Sequence, residues 1–264
     1  PEDADSLNLK LEVLSQGQVI RTITNNKPKD FKTWQGGPPK PQVLPSTKGY
    51  QRFTWDFRRD GIPAVDNVFV FGDYRGSRVG PGSYTLRLTL DGRVAEQVVE
   101  VLPNPNLNNK SEVYQEQQKM LVDLEAMIYE MHGSVNQMRS ARKQLEGYKS
   151  LLKEKEDAEE LLKLGDSLIQ RIDNWEKNLI QPDQKTFQDV INFNNRLNAE
   201  IMYLRGFIDN EDPELTQGAR QRFNDLKQDW KVYSDERDAI VRSEMAGYNA
   251  RYKELGIPAI IMHK

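Results

Sequence analysis

The chain has 264 residues and a formal net charge of -3, from 37 basic and 40 acidic side chains. Such a balance provides neither the basic field that nucleic acids require nor a polybasic patch for a membrane surface. Cysteine is absent, which excludes disulfides, thiolate metal sites and cysteine nucleophiles, and no apolar run reaches the roughly 18 residues of a membrane-spanning helix. We therefore expect no nucleic-acid partner and no transmembrane segment.

Residues 1–104 read as an antiparallel β domain. Apolar residues alternate with polar ones over 7–13 and again over 84–90, the period-two pattern of a strand with one buried face. Turn signals follow both strands, Gln16-Gly17 after the first and Asp91-Gly92 after the second. Each strand is therefore predicted to form the first half of a hairpin.

An aromatic stretch predicts a further strand. Its alternation places Phe53, Trp55 and Phe57 on one face, which in a sandwich is normally the core, and Tyr50 belongs to the same strand. Six or seven short strands in about 100 residues are typical of an immunoglobulin-like sandwich. The fold class predicted for the whole chain is α+β, with this sandwich as its first domain.

A long excursion interrupts the β domain over residues 27–48, which are too rich in proline and glycine for core strands. Trp34 lies within it and has no evident core to enter. An indole in a surface loop is a typical ligand or partner contact. Trp34 is therefore the one residue predicted to contact a ligand or a partner.

Residues 110–258 read as an antiparallel helical bundle, separated from the β domain by an Asn- and Pro-rich linker at 104–109. Apolar residues recur there at steps of three, four and seven, which predicts helices. The third is expected to begin near Thr186, with Phe187 and Val190 on its apolar stripe. The first and fourth helices should have about 40 residues and the middle two about 25, so that the outer pair overhangs one end. Short connections predict an up-down-up-down four-helix bundle.

Few residues suggest a catalytic or metal-binding role. The two histidines, His132 and His263, have no second histidine at helical spacing, so a solvated or tail position is expected for both. Four aspartates in one stretch suggest a calcium loop, although their spacing does not match the D-x-D-x-D-G pattern; they are Asp56, Asp60, Asp66 and Asp73. A phosphate-binding loop and a nucleophile elbow are both missing from the sequence. No catalytic, cofactor-binding or metal-binding residue is assigned, and no cofactor is expected.

Two motifs resemble a known class of protein tails. They read Q-R-F-T-W-D-F-R at 51–58 and G-P-G-S-Y-T-L-R-L at 80–88. Together they resemble the C-terminal tail of large secreted bacterial proteins that carry sortilin-like or BNR-type β-propellers and are often labelled glycosyl hydrolases. The V-I-R-T strand at 19–22 also looks like the immunoglobulin-like domain of flagellar hook-capping proteins. The resemblance covers 7–102 by motif and 110–260 by helical pattern alone.

The resemblance implies an exported protein, in the periplasm, at the cell surface or outside the cell. It also implies that Trp55 packs in the sandwich, while Asp56 and Arg58 pair with each other or hold the neighbouring loop. The chain departs from the family at 104–106, where it reads N-P-N and the tails often read D-P-R. Any glycosidase or peptide-binding activity of such proteins would lie in the propeller.

Three hypotheses on function follow. The first is a non-catalytic accessory module that docks on an N-terminal propeller or on another protein. The second is a part of a carbohydrate-active enzyme that contributes a glycan contact through Trp34. The third is an oligomerising helical module in which Tyr248 and Tyr252 of one copy meet Leu145 and Tyr148 of another.

Overall fold

A computed structural model describes residues 8–29, 31–153 and 155–257, apart from the side chain at position 156, and confirms an α+β fold. One antiparallel sheet has the strand order β2-β1-β3-β4 and consists of β1 (Leu9–Ser15), β2 (Gln18–Thr24), β3 (Gly82–Leu90) and β4 (Arg93–Val101). Both predicted hairpins are confirmed. Their turn residues have positive φ, 49° and 78° in the first turn and 47° and 83° in the second, as tight hairpin turns require.

The sheet has one apolar and one charged face, because paired residues of neighbouring strands lie on the same side. Val13 pairs with Leu86 and Tyr84 pairs with Val99, which makes the apolar face. On the opposite face Arg87 lies 2.6 Å from Glu96 and 4.0 Å from Glu12, both on neighbouring strands. Both faces contain buried residues, since Val13 lies on the apolar face and Leu14, which is 4% exposed, lies on the opposite one.

The strand predicted around Trp55 is wrong. Between 25 and 81 the described residues form no strand beyond an isolated bridge of Arg58 with Arg78. Phe57 has a φ of 55° and is 52% exposed, which ends the expected alternation. Trp55 does pack on the apolar face of the sheet, 5.7 Å from the ring of Tyr84. A second sheet is not formed by the described residues, so the sandwich is not confirmed.

The long first and fourth helices are confirmed. α1 (Ser111–Leu152) has 42 residues. α4 (Gln217–Ala239), a π-helical turn (Ile240–Met245) and α5 (Ala246–Glu254) follow one another without a break, with 23, 6 and 9 residues. α2 (Glu159–Leu179) has 21 residues, close to expectation.

The third helix is much shorter than predicted, because α3 (Leu197–Ile208) has only 12 residues. The segment before it is irregular apart from a short 3-10 turn (Asp189–Ile191). The carboxylate of Asp189 accepts the backbone N–H groups of Lys185 and Thr186 at 2.7 Å each. Such bonds give the backbone an alternative to the helix. Phe187 and Val190 therefore lie outside α3, on a surface loop.

Contacts between helices show their directions. Along α1 the residues Arg139, Arg142 and Lys149 contact α2 residues of decreasing number, so α1 and α2 are antiparallel; these partners are Glu176, Asp173 and Asp166. Glu116, Glu130 and Ser134 of α1 contact α4 residues of increasing number, so α1 and α4 are parallel; these partners are Arg220, Trp230 and Arg237.

α3 is also antiparallel to α1, since Gln117 near the start of α1 donates to the carbonyl of Ile208 at the end of α3. α2 and α3 thus run in the same direction, one beside each half of α1. The up-down-up-down arrangement is not confirmed, and neither is the overhang. The reason is the irregular segment 180–196, which carries the chain onward instead of reversing it between α2 and α3.

The helical core includes part of the N-terminal half. Ile62, Val65, Val68 and Val70 are buried in the same apolar cluster as α1 and α3. The boundary at 104–110 stays a prediction, but the segment 62–74 packs with the helices that follow it. Over the described residues, no helix combines the length and the apolar character needed to cross a membrane.

Charged side chains bind the backbone of the segment 73–78. Arg205 of α3, which is 1% exposed, donates to the carbonyls of Asp73 and Arg75 and lies 3.4 Å from Glu125 of α1. Burial lowers the pKa of Arg205, an effect that the nearby Glu125 charge opposes. Glu125 in turn accepts the N–H of Ser77 at 2.6 Å.

A second buried pair completes this arrangement. Arg58 donates to the carbonyl of Gly76 and to Asp209, both at 2.8 Å, and Asp209 accepts the N–H of Arg78 at 3.0 Å. A Cβ at Gly76 would come within 2.2 Å of the Asp60 carbonyl, so only glycine fits there. These bonds therefore hold the segment 73–78 to α1, to α3 and to Asp209, the residue that follows α3.

We expect Asp209→Ala to lower the free energy of unfolding by about 3–5 kcal/mol, because it leaves Arg58 buried without its counter-charge. Urea unfolding followed by circular dichroism measures the change. Glu159→Gln, which removes an exposed pair with Lys163 on α2, is the matched control and should leave the midpoint unchanged. Equal midpoints for Asp209→Ala and the wild type would contradict this role of the buried pair.

Candidate functional site

His132 lies in the core, so the solvated position expected for it is wrong. It is fully buried on α1, and its Nδ1 donates to the carbonyl of Pro63 at 2.7 Å. Its Nε2 has no partner among the described residues, and burial lowers the pKa of the imidazole. His132 is therefore neutral near pH 7 and structural in its contacts. His263 lies outside the described residues.

The aspartates of the suggested calcium loop do not converge. Asp60 accepts an N–H of β2, while Asp66 bonds Lys32 and Asp73 bonds Arg75, both at 2.7 Å. Among the described residues, no three His, Asp or Glu side chains come close enough to hold a metal ion. Each of these three carboxylates is instead bonded to a different part of the chain.

Trp34 holds the proline-rich excursion against the loop at 65–70. Its Nε1 donates to the carbonyl of Val68 at 2.8 Å, and its ring lies so close to Gly37 that a Cβ there would come within 2.6 Å. The indole is half-buried. A ligand or partner contact by Trp34 stays a prediction, and its N–H is already bonded within the chain.

Asp56 and Arg58 do not bond each other, because Arg58 bonds Asp209 instead. One carboxylate oxygen of Asp56 is consequently buried and has no hydrogen-bond partner in the described chain. The resemblance allowed Arg58 to hold the neighbouring loop, and its bond to Gly76 does so. Asp56 is left with an unused acceptor.

A cleft of about 660 Å³ lies between the proline-rich excursion, β2 and the segment 56–64, and we name it the proline cleft. Its apolar lining is formed by Ile23, Phe31, Pro38, Pro39, Pro41, Ile62, Pro63, Ala64 and Tyr129. Its polar lining includes Arg21, Lys40, Asp56, Asp60, Tyr74 and Arg75. A volume of roughly 300–1,000 Å³ with an apolar wall and a few polar groups is typical of small-ligand sites.

Three polar atoms of residues that line the proline cleft have no partner among the described residues. They are the hydroxyl of Tyr74, one carboxylate oxygen of Asp56 and Nε of Arg21. Tyr74 is only 2% exposed, and burial raises the pKa of its hydroxyl, which therefore stays protonated. An unmade hydrogen bond at a buried group costs about 1–3 kcal/mol, so groups left in this way call for an explanation.

Four aromatic side chains form a second surface, which we name the aromatic patch. Phe71, Phe187, Tyr203 and Phe207 are 51–64% exposed. The rings of Phe71 and Phe187 are 5.6 Å apart, edge to face. Phe71, Tyr203 and Phe207 line one shallow groove of about 310 Å³. Contiguous exposed apolar surface of this kind is typical of interaction sites.

Sequence reasoning missed the aromatic patch, although part of its signal was present. Tyr203 and Phe207 are four residues apart on α3, beside the apolar stripe of Ile201, Leu204 and Ile208. Two aromatics off the buried stripe indicate an exposed apolar face. Phe187 was expected in a helical core, which is wrong, and no pattern pointed to Phe71.

The four residues suggested for oligomerisation make contacts within one chain. Leu145 and Tyr248 are buried, and the rings of Tyr148 and Tyr252 are 5.1 Å apart. Tyr148 and Tyr252 are half-buried, so a contact with a second copy stays a prediction.

Comparisons with protein families, with curated proteins and with solved structures found no match for this chain.

We expect acidification to destabilise the fold through His132. Its pKa is lowered in the folded state, so the unfolded state binds the proton more tightly, and stability falls as pH drops below the unfolded pKa of about 6.5. The loss is at most about 1.4 kcal/mol per pH unit. Urea midpoints at about pH 7.5 and about pH 5.5 measure it.

His132→Gln is the matched control, because an amide can still donate to Pro63 but does not titrate. Whatever its stability at neutral pH, this variant should lose less stability on acidification than the wild type. The same loss in both proteins would show that His132 is not responsible.

Proposed function

We propose that this chain is a non-catalytic interaction module of an exported bacterial protein, and that it docks on another protein domain through the aromatic patch. The partner suggested by the resemblance is a β-propeller of the sortilin-like or BNR type. The observation that carries the proposal is the exposure of four neighbouring aromatic rings on one surface. In this proposal the sheet with Trp55 on its apolar face is a reduced form of the immunoglobulin-like domain.

The size of the aromatic patch supports a protein partner. An aromatic side chain buries about 150–250 Å², so four half-exposed rings offer roughly 300–500 Å² of apolar surface. A standard interface buries about 800 Å² on each partner. The patch thus supplies about half of such an interface, and aromatic residues are typical of the part that contributes most to affinity.

The aromatic patch is also held in place before any partner binds. Tyr203 and Phe207 project from α3, and Phe71 is two residues from Asp73, whose carbonyl Arg205 binds. Phe187 follows the backbone groups that Asp189 holds. Groups that are ordered in the free protein lose less conformational entropy on association.

The test uses biolayer interferometry with this chain and a purified sortilin-like β-propeller domain from a protein whose tail carries the two motifs. We expect the wild type to bind and the double variant Tyr203→Ser with Phe207→Ser to bind at least about tenfold more weakly, because it removes two aromatic contacts. Both residues are exposed, so the variant should keep the wild-type unfolding midpoint.

Tyr50→Ser is the matched control, since Tyr50 is 97% exposed and lies outside the patch. It should bind as the wild type does. Failure of the wild type to bind, or equal affinities of all three proteins, would refute docking through the aromatic patch. Turnover of a glycan or peptide by this chain alone would refute a non-catalytic role.

A further inference from the structure

We propose that the outer edge of β4 pairs with the same edge of a second copy, so that two copies form one continuous antiparallel sheet. β4 is a terminal strand in the order β2-β1-β3-β4, and no residue of the aromatic patch lies on it. The inference is therefore independent of the proposed docking function, and it uses none of the four residues suggested for a helical oligomer. It depends on the open backbone groups of β4, on the closed edge at β2 and on a strand sequence that is complementary to itself.

The hairpin determines which backbone groups of β4 point outward. Its turn has two residues, so Leu90 and Arg93 form the closing pair, which is hydrogen-bonded. Hydrogen-bonded and non-hydrogen-bonded pairs alternate along an antiparallel ladder. The odd-numbered residues of β4 therefore bond β3, and the even-numbered ones direct their N–H and C=O groups away from the sheet. These outward residues are Val94, Glu96, Val98 and Glu100.

The opposite edge of the sheet, at β2, is closed by the chain itself. The carbonyl of Ile20 accepts the N–H of Asp60 at 2.9 Å, and the N–H of Thr22 donates to the carboxylate of Asp60 at 3.1 Å. Farther along β2, the carbonyl of Thr24 accepts the N–H of Leu44 at 2.9 Å. The outward groups of β2 are thus bonded to the loops that pass beside it, and a second chain has little left to pair with there.

The outer edge of β4 is open. Among the described residues, its outward groups receive a single bond, from the side chain of Gln97 to the carbonyl of Val98 at 2.9 Å. Val94 and Val98 are 59% and 60% exposed, so this edge is accessible. Proline, lysine and bulges commonly protect an edge strand. Residues 93–101 contain neither proline nor lysine, and over these described positions β4 pairs with β3 in one unbroken register.

The sequence of β4 is complementary to itself in one antiparallel register, in which Gln97 lies opposite Gln97 of the second copy. Val94 then lies opposite Glu100 of the second copy. Glu96 lies opposite Val98, so every outward residue has an outward counterpart and each such pair exchanges two hydrogen bonds. A displacement by two residues in either direction would place Glu96 opposite another Glu96 or opposite Glu100, where like charges are destabilising. The charges of the strand thus favour this register.

The interface is small, which predicts a reversible dimer. The nine residues of β4 at about 3.4 Å each give an edge of about 30 Å. A single strip of this length buries less than the standard interface of about 800 Å² on each partner, and small interfaces of this kind are typical of weak association. The charge of Glu96 adds little repulsion, because Arg87 of its own copy already bonds it at 2.6 Å. We therefore expect the dimer at high protein concentration.

Disulfide trapping tests the register, since the chain has no cysteine of its own. Gln97 would lie in a non-hydrogen-bonded pair with its counterpart, where the Cα atoms are about 4.5 Å apart and a disulfide can form. We expect Gln97→Cys to give a covalent dimer on oxidation with copper phenanthroline. Ala95→Cys is the matched control on the same face of β4. Its counterpart would lie about 13 Å away, so it should give at least about fivefold less covalent dimer.

Sedimentation velocity at protein concentrations up to about 500 µM measures the association without a cross-link. We expect a dimer for the wild type. Val98→Glu places a carboxylate opposite Glu96 twice in the dimer and should weaken association about tenfold. Val98→Lys places an opposite charge there and should associate at least as well as the wild type. Val19→Glu makes the same change on β2, the closed edge, and should leave the association unchanged.

All three side chains are changed at exposed positions, so each variant should keep the wild-type unfolding midpoint in urea. A dimer that is weaker for Val98→Glu than for Val98→Lys, with preferential trapping of Gln97→Cys, supports pairing at the β4 edge. A wild type that stays monomeric throughout the concentration range overturns the inference. Equal trapping of Gln97→Cys and Ala95→Cys also overturns it, as does a dimer that Val98→Glu and Val98→Lys affect equally.

Discussion

Two buried ion pairs, Arg58 with Asp209 and Arg205 with Glu125, determine how the two halves of this chain meet. Both arginines also donate to backbone carbonyls of the segment 73–78, and both carboxylates accept N–H groups from it. A loop without regular structure would otherwise bury unpaired backbone groups, which is costly. The side chains of the ion pairs satisfy backbone N–H and C=O groups that strand pairing would satisfy in a sheet. They therefore allow an irregular segment to pack in a helical core.

Both candidate surfaces lie next to this held segment. Phe71 lines the aromatic patch, while Tyr74 and Arg75 line the proline cleft only three and four residues later. Between them, Arg205 binds the carbonyls of Asp73 and Arg75. The same guanidinium therefore orders the backbone beneath both surfaces. Side chains anchored on a segment that is already ordered lose less conformational entropy when a partner binds.

The local elements of the structure were predicted well from the sequence, and the candidate site was not. The hairpins follow from turn residues that need positive φ, and α1 follows from a continuous apolar stripe. Trp34 was the one predicted contact, and its indole is bonded to Val68. The unpartnered atoms of Asp56 and Tyr74 had no sequence signal, because a missing partner depends on tertiary contacts, such as the bond of Arg58 to Asp209.

The sequence by itself determined the α+β class, the two hairpins and the length of the first and fourth helices, since each depends on residues that are neighbours along the chain. Only the tertiary structure decided that α2 and α3 run in the same direction, that the segment 62–74 joins the helical core and that the proline cleft exists. These features depend on pairs such as Arg58 with Asp209, separated by 151 positions, and local patterns carry no record of such pairs.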